Sequence, residues 1–186
     1  MKSHTGGSPA RKLLVIDLDE TLIHGCPEAA GFDFLAAGIP VFIRPGARIF
    51  LKKMANIYEI AVWTSASSDY AADIVQELFS PPPQFVWCRE RCVRRLNPET
   101  LEVDFLKDLK KLRRLGWDLA RVIVVDDSPE KLSRNYGNLV RVPPYFGGKD
   151  DVLEPLAEYL ATLSEEQDVR RIEKRGWLDA WRSATE

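Results

Sequence analysis

Short apolar runs alternate with longer amphipathic stretches along most of this chain. The apolar runs are unbroken rather than interrupted at every second position, which is typical of strands buried on both faces of a parallel sheet. They predict five strands, at LLVID (13–17), IAVWT (60–64), FVWC (85–88), VIVVD (122–126) and LVRV (139–142).

The amphipathic stretches carry apolar residues at spacings of three and four, which predicts helices with one face towards a sheet. Pro45 and Gly46 begin the first of these helices, and Gly116 ends the third. Alternating strands and helices predict an α/β fold of three layers, with a Rossmann-like parallel sheet between helices. Helices are expected at 46–56, 68–79 and 103–115, and two or more further helices in the C-terminal stretches VLEPLAEYLATL (152–163) and SEEQDVRRIEKRGWLDAWR (164–182).

Length and composition fit a single domain. The chain has 186 residues, of which 45% are hydrophobic, and this is enough for one compact core. We expect one domain over residues 12–186 and a flexible leader at residues 1–11, because the first residues are polar and rich in Gly and Ser. The apolar run that follows is cut by Asp17, so it is too short for a signal peptide or a membrane span.

The net charge and the cysteine content limit which binding partners and which cellular compartment are expected. The formal net charge of −2 gives no overall attraction to nucleic acid or to an anionic membrane. The basic clusters at 89–95 and 107–114 are interpreted as solvated faces that attract a phosphorylated partner rather than as a nucleic-acid site. The odd number of cysteines and the absence of a Cys-rich spacing argue against a disulfide framework and predict an intracellular location, cytoplasmic or nuclear. The spacing of the second and third cysteines and the lack of a fourth firm ligand favour buried or semi-buried thiols over a zinc site. The three cysteines are Cys26, Cys88 and Cys92.

Polar residues follow three of the predicted strands at the point where each strand ends. In open α/β sheets ligands bind outside the carboxyl ends of the strands, so these residues are expected to meet in one crevice. Carboxylates gathered there repel one another, and a hard divalent cation such as Mg²⁺ removes that cost. Asp17 and Asp19 follow the first strand, Thr64 and Ser65 the second, and Asp126, Asp127 and Ser128 the fourth.

A carboxylate beside a cation has the means to attack phosphorus. Asp17 is the candidate nucleophile, which would form an aspartyl phosphate. Asp19 is the candidate acid and base, which would protonate the leaving oxygen and then activate water. Thr64 and Lys107 supply the hydroxyl and the positive charge that hold the other phosphoryl oxygens. The residues therefore predict a magnesium-dependent phosphohydrolase.

The order of these motifs resembles that of the haloacid dehalogenase superfamily of aspartate-nucleophile phosphohydrolases. It runs from D-x-D-E-T (17–21) through Thr64 and Lys107 to D-D-S-P (126–129). Within that superfamily, the chain from about residue 13 to 169 resembles the small RNA-polymerase-II C-terminal-domain phosphatases, also called the NLI-interacting-factor family. The motifs that carry this resemblance are DLDETLIH, RPG, VWTSASSDYA, RERCV, FLKDL and VVDDSP.

The resemblance implies a role for each matching residue. Asp17 would be phosphorylated, and Asp19 would be the acid and base while its main-chain carbonyl also binds the metal. The implied metal site consists of Asp17, Asp19 and Asp127, with Asp126 beside them. The implied binders of the transferred phosphate are Thr64, Lys107 and Arg89. The further substrate-binding candidates are Thr21, Ser65 and Tyr70, of which Tyr70 would line the groove.

The spacing of the motifs decides the expected substrate class. The gaps between Asp19 and Thr64 and between Thr64 and Lys107 are too short for a cap domain of about 50 residues, which leaves a short flap around residues 31–42. An open crevice favours a phosphoprotein, and the resemblance implies phosphoserine and phosphothreonine. Two alternatives stay open: a phosphatase of small metabolites, and a protein-binding module with little or no activity. A receiver domain fits poorly, because its acidic pair precedes the other motifs.

Overall fold

The structure is a computed structural model that describes residues 11–96, 101 and 103–185. The leader predicted at residues 1–11 lies almost wholly outside the described residues. The described strands are β1 (Leu13–Ile16), β2 (Ile23–Gly25), β3 (Phe34–Ala36), β4 (Ile39–Ile43), β5 (Glu59–Trp63), β6 (Val86–Trp87), β7 (Val93–Leu96), β8 (Val103–Leu106), β9 (Val122–Asp126) and β10 (Leu139–Arg141). The described α-helices are α1 (Ala47–Ile57), α2 (Ser68–Leu78), α3 (Lys110–Arg113), α4 (Leu153–Ser164) and α5 (Trp177–Thr185).

A five-stranded parallel sheet forms the centre of the fold, in the order β10-β9-β1-β5-β6. All five strands predicted from the apolar runs are present, with ends that differ by up to one residue. Ile16 at the end of β1 lies opposite Val62 in β5 and Val125 in β9, so these three strands end side by side. The predicted α/β class and parallel sheet are confirmed.

Helices cover both faces of the sheet, because successive strand residues point to opposite sides. In β1, Leu14 and Ile16 face one core, which is closed by α1, α2, α4 and α5. Leu13 and Val15 face a second core, to which α3 contributes Leu112. The unbroken apolar runs are explained by this burial on both sides.

The flap is a small antiparallel sheet of three strands in the order β2-β4-β3. It covers residues 23–43 and is therefore wider than the stretch 31–42 expected from sequence. The main-chain N–H of Ala37 at its tip donates a hydrogen bond of 2.8 Å to Asp73 in α2, which holds the flap against the core. Neither gap between the motifs contains a separate cap domain in the part of the chain that the structure describes.

The prediction of a helix at residues 103–115 is wrong. Residues Val103–Leu106 form β8, which pairs antiparallel with β7, and helix α3 is a single turn that begins only at Lys110. The pairing with β7 is a tertiary contact that overrides the helical spacing of apolar residues. Lys107 consequently lies just after a strand, and its main-chain N–H donates to the carbonyl of Lys131 at 2.8 Å.

The helix expected at residues 164–182 is also interrupted. A short 3-10 helix forms at Val169–Arg171, where Asp168 accepts a hydrogen bond from the main-chain N–H of Arg170. Gly176 then takes a left-handed conformation with φ of 68°, and α5 begins directly after it. Among the helices described, none combines the length and apolar character that a membrane crossing needs.

A buried ion pair joins the flap region to the C-terminal helices. The Arg44 guanidinium is fully buried and donates to both carboxylate oxygens of Asp150, at 2.8 and 2.9 Å. The Asp150 carboxylate also accepts from the main-chain N–H of Val152 at the start of α4. Burial disfavours the ionised carboxylate, but the hydrogen bonds and charge of Arg44 outweigh this and lower the pKa of Asp150.

Replacement of Asp150 by Ala is expected to lower the free energy of unfolding by about 3 kcal/mol, because it leaves the Arg44 charge buried without a partner. Urea denaturation at neutral pH measures this loss. Asp151→Ala is the matched control, since the Asp151 side chain is 84% exposed. Because the folded-state pKa of Asp150 is lowered, its contribution is present above its unfolded pKa of about 4 and disappears at lower pH. An equal loss at acid and neutral pH would contradict the ion-pair explanation.

Candidate active site

Three buried polar residues meet at the carboxyl ends of neighbouring strands. Asp17 follows β1, Thr64 follows β5 and Asp126 ends β9, and all three are at most 1% exposed. The main-chain N–H of Asp17 donates to the carbonyl of Val125 at 3.0 Å, and the N–H of Thr64 donates to the carbonyl of Trp87 at 2.8 Å. The sheet hydrogen bonds thus continue past the ends of β1 and β5 and hold these two residues in place.

Lys107 lies between two of the carboxylates. Its ammonium is fully buried, 2.9 Å from Oδ1 of Asp17 and 2.6 Å from Oδ2 of Asp126. Burial disfavours the ionised form of Asp17, but the charges of Lys107 and Lys131 outweigh burial and hold the pKa of this carboxyl below its usual value. Asp17 is therefore an anion at neutral pH, as a nucleophile must be.

Lys131 is a site residue that the sequence analysis missed. Its ammonium lies 3.1 Å from Oδ2 of Asp17 and 3.9 Å from Oδ1 of Asp126. A 3-10 turn that begins at Pro129 brings residue 131 back towards the end of β9. A Ser-Pro turn directly after a strand-terminal acidic pair is the signal that would have placed Lys131 here.

Asp19 is held differently from Asp17. The main chain turns sharply after it, with Glu20 in a left-handed conformation at φ of 57°. The Tyr70 hydroxyl donates to Oδ1 of Asp19 at 3.0 Å. Burial and the nearby Asp17 charge raise the pKa of Asp19 to about 6. The pKa values of these two carboxyl groups, two residues apart in the sequence, are therefore shifted in opposite directions. Such a difference suits a nucleophile at Asp17 and a general acid and base at Asp19.

The acidic residues of the site fit a divalent cation. Carboxylate oxygens of Asp17, Asp126 and Asp127 lie within 4.8 Å of one another. Oδ1 of Asp127 is buried without a hydrogen-bond partner among the described residues, so it is available as a ligand. Both oxygens of Asp126 are already used, one by Lys107 and the other by the N–H of Ser128 at 2.9 Å. Asp126 thus positions Lys107, whereas Asp127 offers a buried carboxylate oxygen without a hydrogen bond.

A groove of about 540 Å³ opens beside Asp19 between the flap and the start of α2. The Arg89 guanidinium is placed here by a hydrogen bond of 2.7 Å to the carbonyl of Ser65 and by contact with the ring of Phe105. The groove is lined by both charged and apolar residues, among them Asp19, Pro27, Ile39, Ser65, Tyr70 and Arg89.

Thr21 is a predicted substrate-binding residue that the structure brings neither to the groove nor to the cluster around Asp17. Its side chain is fully buried, and it is not among the residues that line the groove in the described part of the chain. Its main-chain carbonyl accepts a hydrogen bond of 3.0 Å from Arg44. The tight turn after Asp19 directs Thr21 into the protein interior. Its hydrogen bond with Arg44 therefore stabilises the fold and does not bind substrate.

Residues 12–170 match the family model described as NLI interacting factor-like phosphatase. The chain belongs to the NLI interacting factor-like phosphatase family. The resemblance drawn from the motifs is thereby confirmed, and the matched region includes the whole parallel sheet and every residue of the candidate active site.

Curated relatives of this family are similar over most of the chain. A human CTD small phosphatase-like protein is 33% identical over 174 residues, which are 86% of this chain and 58% of the relative. Phosphatase Herzog of Drosophila melanogaster is 34% identical over 166 residues, 83% of this chain and 44% of the relative. The chain thus spans about half the length of these relatives.

Solved structures share the fold at lower sequence identity. The RNA polymerase II CTD phosphatase Fcp1 superposes with a TM-score of 0.56 at 20% identity, over 94% of this chain and 61% of that one. Fission yeast Fcp1 bound to beryllium fluoride gives a TM-score of 0.53 at 21% identity, over 83% of this chain and 51% of that one. These likenesses confirm the haloacid dehalogenase type of core.

Replacement of Tyr70 by Phe is expected to slow phosphate release by roughly 3- to 10-fold, because one hydrogen bond to Asp19 is lost. That bond favours the ionised carboxylate, so its loss raises the pKa of Asp19 and moves the corresponding limb of the pH–rate profile to higher pH. Steady-state rates between pH 4.5 and 8 measure both effects. Tyr136→Phe is the control, since Tyr136 is half exposed. A profile that keeps its position would contradict the assigned hydrogen bond.

Proposed function

We propose that this protein is a magnesium-dependent phosphoprotein phosphatase that acts on phosphoserine and phosphothreonine through an aspartyl phosphate at Asp17. The observation that carries the proposal is the contrast between buried Asp17 and Asp19, the carboxylate that lines the groove. Asp17 is kept ionised by two lysines, whereas the pKa of Asp19 is raised to about 6. Such a difference between neighbouring acids is the arrangement that separates a nucleophile from a general acid.

In the first step an Asp17 carboxylate oxygen forms a bond to phosphorus while the bond from phosphorus to the seryl or threonyl oxygen breaks. Asp19 gives its proton to that leaving oxygen. In the second step Asp19 takes a proton from water, the water oxygen attacks phosphorus, and Asp17 leaves as a carboxylate. Lys107 and Thr64 are proposed to hold the non-reacting phosphoryl oxygens in both steps.

The proposed ligands of Mg²⁺ are the carboxylates of Asp17 and Asp127 and the main-chain carbonyl of Asp19. The cation, when bound, would neutralise charge on the phosphoryl oxygens and lessen repulsion between substrate and carboxylates. The free Oδ1 of Asp127 supports this ligand set. Asp126 is proposed to hold the Lys107 ammonium in place rather than to bind the metal directly.

A phosphoprotein substrate is supported by the shape of the groove and by the relatives. The groove beside Asp19 lies between a flap of only three short strands and the start of α2, so a phosphorylated side chain on a protein surface has access. A human relative that is 31% identical is named a carboxy-terminal domain RNA polymerase II polypeptide A small phosphatase. We propose a protein substrate of the same phosphorylated class, in an intracellular compartment and with residues 12–186 as one domain.

Phosphate release from a panel of substrates tests this proposal. The panel contains phosphoserine, phosphothreonine and phosphotyrosine peptides and small sugar phosphates, each with Mg²⁺ or with EDTA. We expect release from the phosphoserine and phosphothreonine peptides with Mg²⁺, and a loss of roughly 100-fold or more with EDTA, because the carboxylates then repel the phosphate. Acid quenching followed by mass spectrometry should find phosphate on Asp17.

Other outcomes would point elsewhere. Faster release from sugar phosphates than from peptides would identify a phosphatase of small metabolites and overturn the substrate class. Peptide binding by the folded protein without release would identify a protein-binding module on the same scaffold. Release that is indifferent to EDTA would contradict the metal site.

A further inference from the structure

Lys131 contacts the candidate nucleophile but takes no direct part in the bond-making and proton-transfer steps proposed above. Its ammonium lies 3.1 Å from Oδ2 of Asp17 and 3.9 Å from Oδ1 of Asp126. The side chain is only 19% exposed. Enclosing an ammonium group costs free energy unless nearby carboxylates compensate, so Lys131 is held in the site by its partners.

The main chain at Lys131 is fixed on both sides. Its N–H donates to the carbonyl of Ser128 at 3.2 Å, and its own carbonyl accepts from the N–H of Lys107 at 2.8 Å. The next residue, Leu132, is fully buried in the core beneath the sheet. The long side chain is therefore the part of Lys131 that can change position, since it carries a compact charge on a flexible four-carbon stem.

Lys107 and Lys131 each contact a different carboxylate oxygen of Asp17. Lys107 takes Oδ1 at 2.9 Å and Lys131 takes Oδ2 at 3.1 Å. Burial alone would lower the pKa of Lys131, but the negative charges of Asp17, Asp126 and Asp127 together raise it. The ammonium of Lys131 thus lies beside Asp17 and Asp126, two of the three carboxylates of the acidic cluster at which a divalent cation would bind.

We propose that Lys131 is an internal counter-ion that competes with the divalent cation for Asp17 and lowers the affinity of the site for metal. The inference rests on the proposed function, because it takes Asp17 and Asp127 as metal ligands. An ammonium and a divalent cation repel each other strongly at such short distances in a poorly solvated site. Lys131 leaves Oδ2 of Asp17 when metal binds, and it returns to stabilise the buried carboxylates when metal is absent.

Calorimetric titration of EDTA-treated, desalted protein with magnesium chloride tests this competition without any turnover. Lys131→Met is expected to bind Mg²⁺ at least about tenfold more tightly than the unchanged protein, within the usual range for coupled sites. Lys131→Arg keeps the charge and should retain the weak affinity. Lys52→Met is the matched control, because Lys52 is an exposed residue of α1 and does not belong to the candidate active site.

Thermal unfolding gives a second readout. Without metal, Lys131→Met should melt below the unchanged protein because its buried carboxylates then have only the Lys107 ammonium as a counter-ion. Saturating Mg²⁺ should raise its melting temperature by more than it raises that of the unchanged protein, since tighter binding stabilises more. Lys131→Gln, whose amide can still donate to Asp17, replaces the Met variant if that variant does not fold without metal.

Each outcome decides the inference. Equal or weaker Mg²⁺ binding by Lys131→Met and Lys131→Gln, with normal binding by the unchanged protein, would overturn the competition alone. Tighter binding by Lys131→Arg as well would show that the charge is not what opposes the metal, and would overturn it too. The absence of Mg²⁺ binding from the unchanged protein and all variants would overturn both the proposed metal site and the competition.

Discussion

Replacement of Asp17 by Asn is expected to reduce phosphate release by on the order of 10⁴-fold or more, because an amide cannot form the aspartyl phosphate. The side chain keeps its size, and Lys107 can still donate to the remaining oxygen, so the fold should survive. Rates of phosphate release from a phosphoserine peptide with Mg²⁺ measure the effect. The covalent phosphate on residue 17 should disappear in the same quenched samples.

Asp179→Asn provides the matched control for this substitution. Asp179 is an exposed residue of α5, outside the candidate active site, so its loss should leave the rate unchanged. Near-ultraviolet circular dichroism separates chemistry from folding, since the buried Trp63 and Trp87 pack edge to face with ring centroids 4.8 Å apart. Appreciable release by folded Asp17→Asn would rule out Asp17 as the nucleophile.

Replacement of Lys107 by Met should weaken substrate binding and slow the reaction together, with a combined loss in kcat/KM of on the order of 10²- to 10⁴-fold. Lys107 is proposed to hold the phosphate in both the ground state and the transition state, so both parameters depend on it. Its loss also leaves Asp17 and Asp126 facing each other with less positive charge between them. Steady-state kinetics on a phosphoserine peptide measures both parameters.

Lys110→Met is the control for Lys107, since Lys110 is exposed and only three residues further on. Because the removed ammonium neutralises two buried carboxylates, the Lys107 variant should also melt at a lower temperature than the control. Asp19 is unchanged in this variant, so the limb of the pH–rate profile that Asp19 produces should keep its shape. A loss confined to kcat, with KM unchanged, would contradict a role for Lys107 in ground-state binding.

Local sequence pattern was sufficient for most of the sheet. The three central strands β1, β5 and β9 are buried on both faces, so the composition of their apolar runs distinguishes them from the surrounding helices. Asp17 and Asp126 stand at the ends of such runs, and the end of a parallel strand is where the fold leaves backbone and side chains open to a ligand. The positions of these two residues could therefore be predicted.

The hairpin at β7 and β8 shows where that reasoning fails. Apolar residues at 103–115 recur with helical spacing, yet Val103–Leu106 pairs with Val93–Leu96. Pairing between strands depends on which segments the rest of the fold brings together, and a periodicity count on one segment carries no such information. The same holds for Thr21, whose type suggests a substrate contact although the turn after Asp19 encloses it.

The sequence by itself determined the α/β class, the strand ends that carry Asp17, Thr64 and Asp126, and the family, because these depend on local composition and on the order of motifs. The tertiary structure alone decided which charges meet. Lys131 lies 114 positions from Asp17, and Asp150 lies 106 positions from Arg44. Contacts over such separations form only when helices and strands pack. The turn after Asp126 indicates that Lys131 lies near the end of β9, but its contact with Asp17, which lowers the pKa of that carboxyl, and the pairing of Arg44 with Asp150 depend on packing.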